Sequence, residues 1–373
     1  MFDKKLLRNL DTITIIIVVI LVSVGIVAIS SATHVHETGD YWAVKRQIMW
    51  FVAGLIAMVV VMSIDYNTLG NLSVYMYFFS LLLLVAVLIP GVGVVRNGAR
   101  SWFDIKVSLI QPAEFIKIIM IITFSKHIEK IKESNESDIN SIKNLCTLVA
   151  HMALPIFLIL KQPDWGTAAV FIGIMIVILF IAGISYKYIV AAFATSAAVL
   201  PLLFFFVMKE YQRERLLVFW DPNRDPLGRG YHVIQSKIAI GSGQLYGKGL
   251  FHGTQTHLGY LPEQHTDFIF SVIGEELGFI WSSIIIILFV ILLLRFLYLA
   301  TLAKEDFGSY IIIGITAMIF FHILINIGMT MGLAPVTGIP LPFISYGGSS
   351  LLTNMMAIGL VLNVAMRRQK INF

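Results

Sequence analysis

Lys209-Glu-Tyr211-Gln-Arg213-Glu-Arg215 opens, and Tyr260-Leu-Pro-Glu-Gln-His-Thr-Asp267-Phe-Ile-Phe closes, a polar, glycine-rich insert at about residues 209–270 between long apolar runs. The flanking segments are apolar enough to lie in hydrocarbon, so the insert reads as a loop outside the membrane. Its last acid, Asp267, arrives at the lip of the next membrane helix. A carboxylate is costly to desolvate beside hydrocarbon, and an ionisable residue there is a functional candidate by default. Glu263, His265, Glu275 and Glu276 stand close to it in sequence.

Composition agrees with a membrane reading. Apolar residues make up 58% of the chain and charged residues 13%, with a mean hydropathy of +0.85. These values place it with all-α polytopic membrane proteins, outside the soluble globular range. The single cysteine, Cys146, excludes an intramolecular disulfide and a multi-cysteine metal site. A net charge of +5 is modest, and no basic stripe suggests a nucleic-acid partner. Lys4, Lys5 and Arg8 precede an apolar run to Ser30-Ser31-Ala32 that is long for a signal peptide, so an uncleaved first helix is expected.

At about 20 apolar residues per span, helices are expected near 12–32, 46–64, 72–90, 111–127, 146–161, 167–184, 187–208, 270–298, 309–332 and 349–366. That makes about ten spans in one integral membrane domain, residues 1–373, with both termini on one side. Lys4, Lys5, Arg8, Lys126, Lys130, Lys132, Lys143, Lys187, Lys304, Arg367, Arg368 and Lys370 gather at one set of helix ends. Lys45, Arg46, Arg96, Arg100, Lys106 and Lys161 are the main charges opposite. The excess marks the first side, with both termini, as cytoplasmic. The long insert, between helices 7 and 8, therefore faces outward.

Four outward segments carry the polar chemistry. Gly98-Ala-Arg100-Ser-Trp102-Phe leads to Gln111-Pro112-Ala-Glu114-Phe-Ile-Lys117, where proline at the first helical position starts a span. Glu114 and Lys117 fall on one face. Either Glu114 complements the helix N-terminus while Lys117 snorkels, or the two pair beside a water-filled cavity. Lys161-Gln162-Pro163-Asp164-Trp165-Gly166-Thr167 is a tight turn, with Asp164 a helix cap or a site residue. In the insert, Gly241-Ser-Gly243-Gln-Leu-Tyr-Gly247-Lys-Gly249 permits close backbone approach and anion-holding amide nests. Arg213, Arg215 and Arg224 are solvated loop charges or phosphate ligands. Finally, Pro335, Pro340 and Pro342 with Gly338, Gly347 and Gly348 interrupt an apolar run, residues 334–350, that fits a re-entrant segment before the tenth helix.

With these motifs assembled, the chain resembles the bacterial shape, elongation, division and sporulation (SEDS) family. The resemblance rests on Asp225-Pro-Leu-Gly-Arg-Gly-Tyr231-His-Val-Ile-Gln235-Ser-Lys-Ile-Ala-Ile-Gly241-Ser-Gly243, His252-Gly-Thr-Gln-Thr-His and Leu261-Pro-Glu-Gln-His265-Thr-Asp267-Phe-Ile-Phe. It extends to Arg100-Ser101-Trp102, Gln111-Pro-Ala-Glu114 with Lys117, Gln162-Pro-Asp164-Trp-Gly166-Thr167 and the run from Gly338 to Ser350. Trp165 stands where leucine is commoner. The resemblance implies a peptidoglycan glycosyltransferase that polymerises lipid II into β-1,4 glycan at the outer face of the bacterial cytoplasmic membrane during elongation. It also implies a class B penicillin-binding protein as partner, with other elongation-complex membrane proteins.

Mapped residue by residue, the family's essential aspartate falls on Asp267, and Trp102, Glu114, Lys117, Asp164, Gln235 and His265 are expected at the substrate. A positioned carboxylate suits deprotonation of the acceptor hydroxyl. Lys117, Arg213, Arg215, Arg224 or a divalent cation, Mg²⁺ or Mn²⁺, would offset the departing pyrophosphate. Alternatives are a precursor flippase or transporter, a division-specific polymerase and a noncatalytic scaffold. The polar motifs lie toward one boundary, unlike the midplane sites of many transporters.

Overall fold

A computed structural model describes residues 8–34, 41–96, 98–105, 109–134, 139–207, 210–226 and 228–368. Lys4, Lys5, Lys106, Lys370 and the insert's first residue, Lys209, lie outside them, as does the Arg215 side chain. A helix stands at each of the ten expected positions: α1 Thr12–His34, α2 Trp42–Ser63, α4 Ser73–Leu88, α5 Pro112–Glu133, α6 Ile142–Lys161, α7 Trp165–Ile181, α8 Tyr186–Leu202, α12 Ile269–Thr301, α13 Asp306–Thr330 and α14 Gly348–Met366. Among the described residues, six of these (α1, α2, α6, α12, α13 and α14) are long and apolar enough to cross a membrane. The chain is a multi-pass helical membrane protein. A short helix, α3 Tyr66–Asn71, follows α2, and the insert folds into α9 Glu210–Trp220, α10 Arg229–Ser242 and α11 Thr254–His257.

One element departs from the all-helical expectation. β1 Val94–Arg96, β2 Ala99–Asp104 and β3 Leu109–Ile110 form a small antiparallel sheet in the order β1-β2-β3. Valine, tryptophan and phenylalanine favour such a pleated surface, but the short strands sit between two apolar runs and give little period-two signal.

α13 and α14 form the buried centre. Hydrocarbon is as apolar as leucine, so close packing and buried polar bonds hold membrane helices together. α14 lies along α2, where a Cβ on Gly54 would come 2.8 Å from Met355 Cγ and one on Gly359 2.7 Å from the Met58 carbonyl. Asn363 Nδ2 donates 2.6 Å to the Val61 carbonyl across the same pair. Asp11 pairs with Arg295 and Asp65 with Arg367, which gathers the start of α1, the end of α12, the end of α2 and the end of α14 at one side. Large apolar side chains exposed on the outer helices, such as Ile56, Phe78, Leu82 and Phe180, form the surface suited to lipid.

α12 is broken at Gly278, whose φ of 74° lies in the left-handed region. A break frees backbone groups that hydrocarbon cannot satisfy, and the glycine run of the insert fills it. Lys248 and Gly249 amides donate to the Glu275 and Glu276 carbonyls at 3.0 and 2.9 Å. Phe279 and Ile280 amides donate to the Gln244 and Leu245 carbonyls at 2.8 and 3.2 Å. A Cβ on Gly243 or Gly247 would overlap the Gly274 or Glu276 carbonyl, so these glycines serve close backbone approach. Glu275 joins the same plug: it accepts from Lys248 Nζ at 2.7 Å and from the Gln255 and Thr256 amides at 2.8 and 3.1 Å. Glu276 accepts from Ser31 Oγ at 2.6 Å.

Substituting Gly278→Ala forces a side chain into that conformation against the Gly247 amide. It should destabilise the protein by more than about 1 kcal/mol. Gly241→Ala, at a helical position with open space around it, should be neutral or slightly stabilising, as thermal melts in detergent would show.

Candidate active site

The acid turn is built before its carboxylate can act. Residues 331–347 run without helix, yet Ile339, Leu341, Phe343 and Ile344 are all buried. Irregular backbone at membrane depth must find partners within the protein, and here several come from the turn carrying Asp267. Tyr346 N donates to the His265 carbonyl at 2.9 Å, and Ser345 Oγ donates to the Thr266 carbonyl at 2.6 Å. Asn326 Nδ2, from α13, reaches the Asp267 carbonyl at 2.9 Å and the Ile339 carbonyl at 2.7 Å. Gln47 Nε2 of α2 donates to the Ser345 carbonyl at 3.1 Å, and Gln264 Nε2 donates to the Ala32 carbonyl at 2.6 Å. Trp42, His265 and Tyr346 pack ring to ring, with centroids 5.4 to 6.3 Å apart. Two bulky or charged residues in this clasp, Glu263 (φ 47°) and Phe343 (φ 65°), adopt left-handed backbone, strain that surrounding structure must hold in place.

This clasp closes one side of a cavity of about 650 Å³. Of the sequence-derived candidates, Asp267, Trp102, Glu114, Asp164 and His265 line it. Trp102 comes from β2, Glu114 from the first turn of α5 and Asp164 from the turn before α7. Asp164 is also a cap: its Oδ1 accepts from Thr167 N at 3.1 Å, and its Oδ2 accepts from Thr167 Oγ1 at 2.8 Å and Gln111 Nε2 at 2.7 Å. The cap reading of that residue therefore holds, and the same carboxylate lines the cavity.

Lys117 does not line the cavity. It is buried beneath it, with Nζ 2.8 Å from Glu114 Oε1 and 2.7 Å from His322 Nε2 of α13. The Glu114–Lys117 pair exists, but only its carboxylate end reaches the open space. Arg213, Arg224 and Gln235 are absent from the lining among the described residues. In place of the insert's arginines, the cavity holds Arg46 of α2 and Arg96 of β1. Trp42, His232, Glu263 and Tyr346 also line it. Arg46 and Arg96 did leave a signal in the sequence, as arginines on the outward side against the prevailing bias.

Burial pushes the Asp267 carboxyl up to about 7; Glu263 adds to the rise and Arg96 opposes it. Burial also raises the Asp164 carboxyl, with the Thr167 amide and hydroxyl opposing. Among the described residues no three of His, Cys, Asp and Glu converge as a metal-ligand set. Glu263 on the cavity wall is a carboxylate of the kind that holds Mg²⁺ or Mn²⁺, since Mg²⁺ is commonly held by one or two carboxylates together with substrate phosphate oxygens.

With this geometry in view, comparison with known proteins is decisive. Residues 11–370 match the family FtsW/RodA/SpoVE, described as cell cycle protein. The chain belongs to that family. It is 38% identical over 335 residues to peptidoglycan glycosyltransferase MrdB of Escherichia coli, covering 89% of this chain and 88% of that one. It is 39% identical over 360 residues to stage V sporulation protein E of Bacillus subtilis, covering 95% and 96%. A solved structure described as the structural coordination of polymerization and crosslinking by a peptidoglycan synthase complex contains a chain 31% identical, with a TM-score of 0.82 over 97% of this SEDS chain and 99% of that one.

The Asp267 shift has a thermodynamic consequence. A folded-state value above the unfolded one, about 3.9, means that the native state holds the proton more tightly, so stability falls as pH rises from about 4 to about 7. Asp267→Asn removes that loss. The variant should melt above wild type at pH 8, and the gap should close as pH approaches 4.

Proposed function

We propose that this protein is a peptidoglycan glycosyltransferase that extends glycan strands from lipid II, with Asp267 as general base. The observation that carries the reading is a half-buried aspartate, its carboxyl raised to about 7, in a cavity that also presents Arg46 and Arg96. A base works best when its pKa lies near the working pH. Asp267 takes the proton from the acceptor 4-hydroxyl as that oxygen bonds to the donor's anomeric carbon. The bond from that carbon to the pyrophosphate oxygen breaks, and the pyrophosphate leaves with the electron pair. One such displacement turns an α-linked donor into a β-1,4 product without a covalent sugar intermediate.

Negative charge then builds on the leaving group. Arg46 and Arg96, exposed side chains on the cavity lining, offset it, because a guanidinium binds phosphate oxygens bidentately. Glu114 and Asp164 also line the cavity, where their oxygens orient sugar hydroxyls beside Trp102. A divalent cation held beside Glu263 would add charge neutralisation.

The positive-inside bias supports cytoplasmic termini and a cavity at the outer face of the bacterial cytoplasmic membrane. Likeness to a chain of a complex that coordinates polymerization and crosslinking supports a class B penicillin-binding partner. Similar identity to MrdB and to a sporulation protein leaves the elongation role resting on the insert motifs. Depletion in a rod-shaped cell should give rounding if that role is right and filaments if the role is in division.

Polymerisation of purified lipid II with the cognate partner, its transpeptidase blocked, tests the chemistry. Asp267→Asn should lose about 10²- to 10⁴-fold in rate, and wild-type rate should fall as pH drops through about 7. Retained turnover in the variant would remove Asp267 from the base role. Arg46→Ala and Arg96→Ala should each slow polymerisation more than Arg213→Ala or Arg224→Ala, which separates cavity arginines from insert arginines.

A further inference from the structure

The mechanism so far leaves the buried histidine of α13 unused. His322 is 2% exposed and sits within α13, packed beneath the cavity. Its Nδ1 lies 2.7 Å from the Met318 carbonyl oxygen one turn back. A carbonyl only accepts, so Nδ1 carries the proton and Nε2 presents a lone pair. The group facing that lone pair at 2.7 Å is the Lys117 ammonium, which has only donors. The tautomer is thus set by its two neighbours, and the imidazole is neutral.

We propose that His322 is a positioning residue for glycosyl transfer: it fixes the Lys117 ammonium, and Lys117 in turn aims the Glu114 carboxylate into the cavity. The inference rests on the glycosyltransferase reading above. Lys117 is 1% exposed, so water does not hold its ammonium, and its direction is set by Glu114 Oε1 at 2.8 Å and His322 Nε2. A buried ion pair is well oriented only when its remaining donors also find partners. Without an acceptor at position 322, the long lysine side chain keeps its attraction to Glu114 but loses the point that fixes its angle, and the carboxylate follows it. The same face of α13 carries Asn326, four residues on, which bonds the Asp267 carbonyl. One helix face therefore sets both the Glu114 carboxylate and the turn that bears Asp267.

A buried histidine that merely fills space would be replaced best by another ring. One that acts through Lys117 needs an acceptor and becomes irrelevant once Lys117 is gone. The test is lipid II polymerisation by the purified protein with its partner, with wild type and Asp267→Asn as controls. His322→Phe should reduce kcat by about tenfold with KM little changed. His322→Gln, whose side-chain oxygen can accept from the ammonium, should stay within about threefold of wild type. In a Lys117→Met background, His322→Phe should bring no further loss, since coupled residues are non-additive.

Equal losses from Gln and Phe, or an undiminished Phe effect without Lys117, would overturn the proposal. If wild type itself makes no polymer, the glycosyltransferase reading fails instead. Should His322→Phe not fold, ¹⁵N spectra of histidine-labelled wild type in bilayers decide the point. A signal for Nδ1–H with unprotonated Nε2, altered in Lys117→Met, supports it, and a protonated Nε2 overturns it.

Discussion

Everything about the site depends on one constraint: a peptide group placed at membrane depth outside a helix must be hydrogen-bonded by the protein itself. Residues 338–347 break helical structure among buried side chains, and their groups are paired with the acid turn, with α2 and with α13. The cost of irregular backbone is thereby converted into geometry. Because Tyr346 and Ser345 bond the carbonyls of His265 and Thr266, Asp267 sits at a fixed place against the Gly338 backbone. Gly338 leaves room there: a Cβ would lie 3.4 Å from Asp267 Oδ2.

The same constraint explains the insert. Its glycine run permits close backbone approach or anion-holding nests, and the first of these is realised, since its backbone repairs the break in α12 at Gly278. Glu275 and Glu276, conspicuous acids close to Asp267 in sequence, are spent on that repair. The outer part of α12, which follows the base directly, is therefore tied to the insert through backbone bonds. Gly243 and Gly247 are needed there because any side chain would strike a carbonyl of the helix.

Electrostatically the cavity is balanced between acids and guanidinium groups. Asp267, Glu263, Glu114 and Asp164 share it with Arg46 and Arg96. Burial, with Glu263 adding to it, pushes the Asp267 carboxyl upward, while Arg96 opposes the rise. Lys117 is withdrawn from this balance by Glu114 and His322, so it serves orientation and does not contact the leaving group.

The sequence by itself determined the membrane class, the places of the helices, the shared helix face of Glu114 and Lys117 and the acid at the lip of α12. These are local properties: apolar length, a proline start, a spacing of three on one helix face and a carboxylate beside hydrocarbon. Only tertiary structure decided which cations face the acid, because Arg46 and Arg96 reach the cavity through the packing of α2 and the small sheet, while the nearer arginines of the insert do not line it. It likewise decided that Asn326 and His322 serve the site, since their partners lie 59 and 205 residues away. Periodicity and local charge report one element's own faces; the contacts between distant elements arise only when every buried polar group has found a partner.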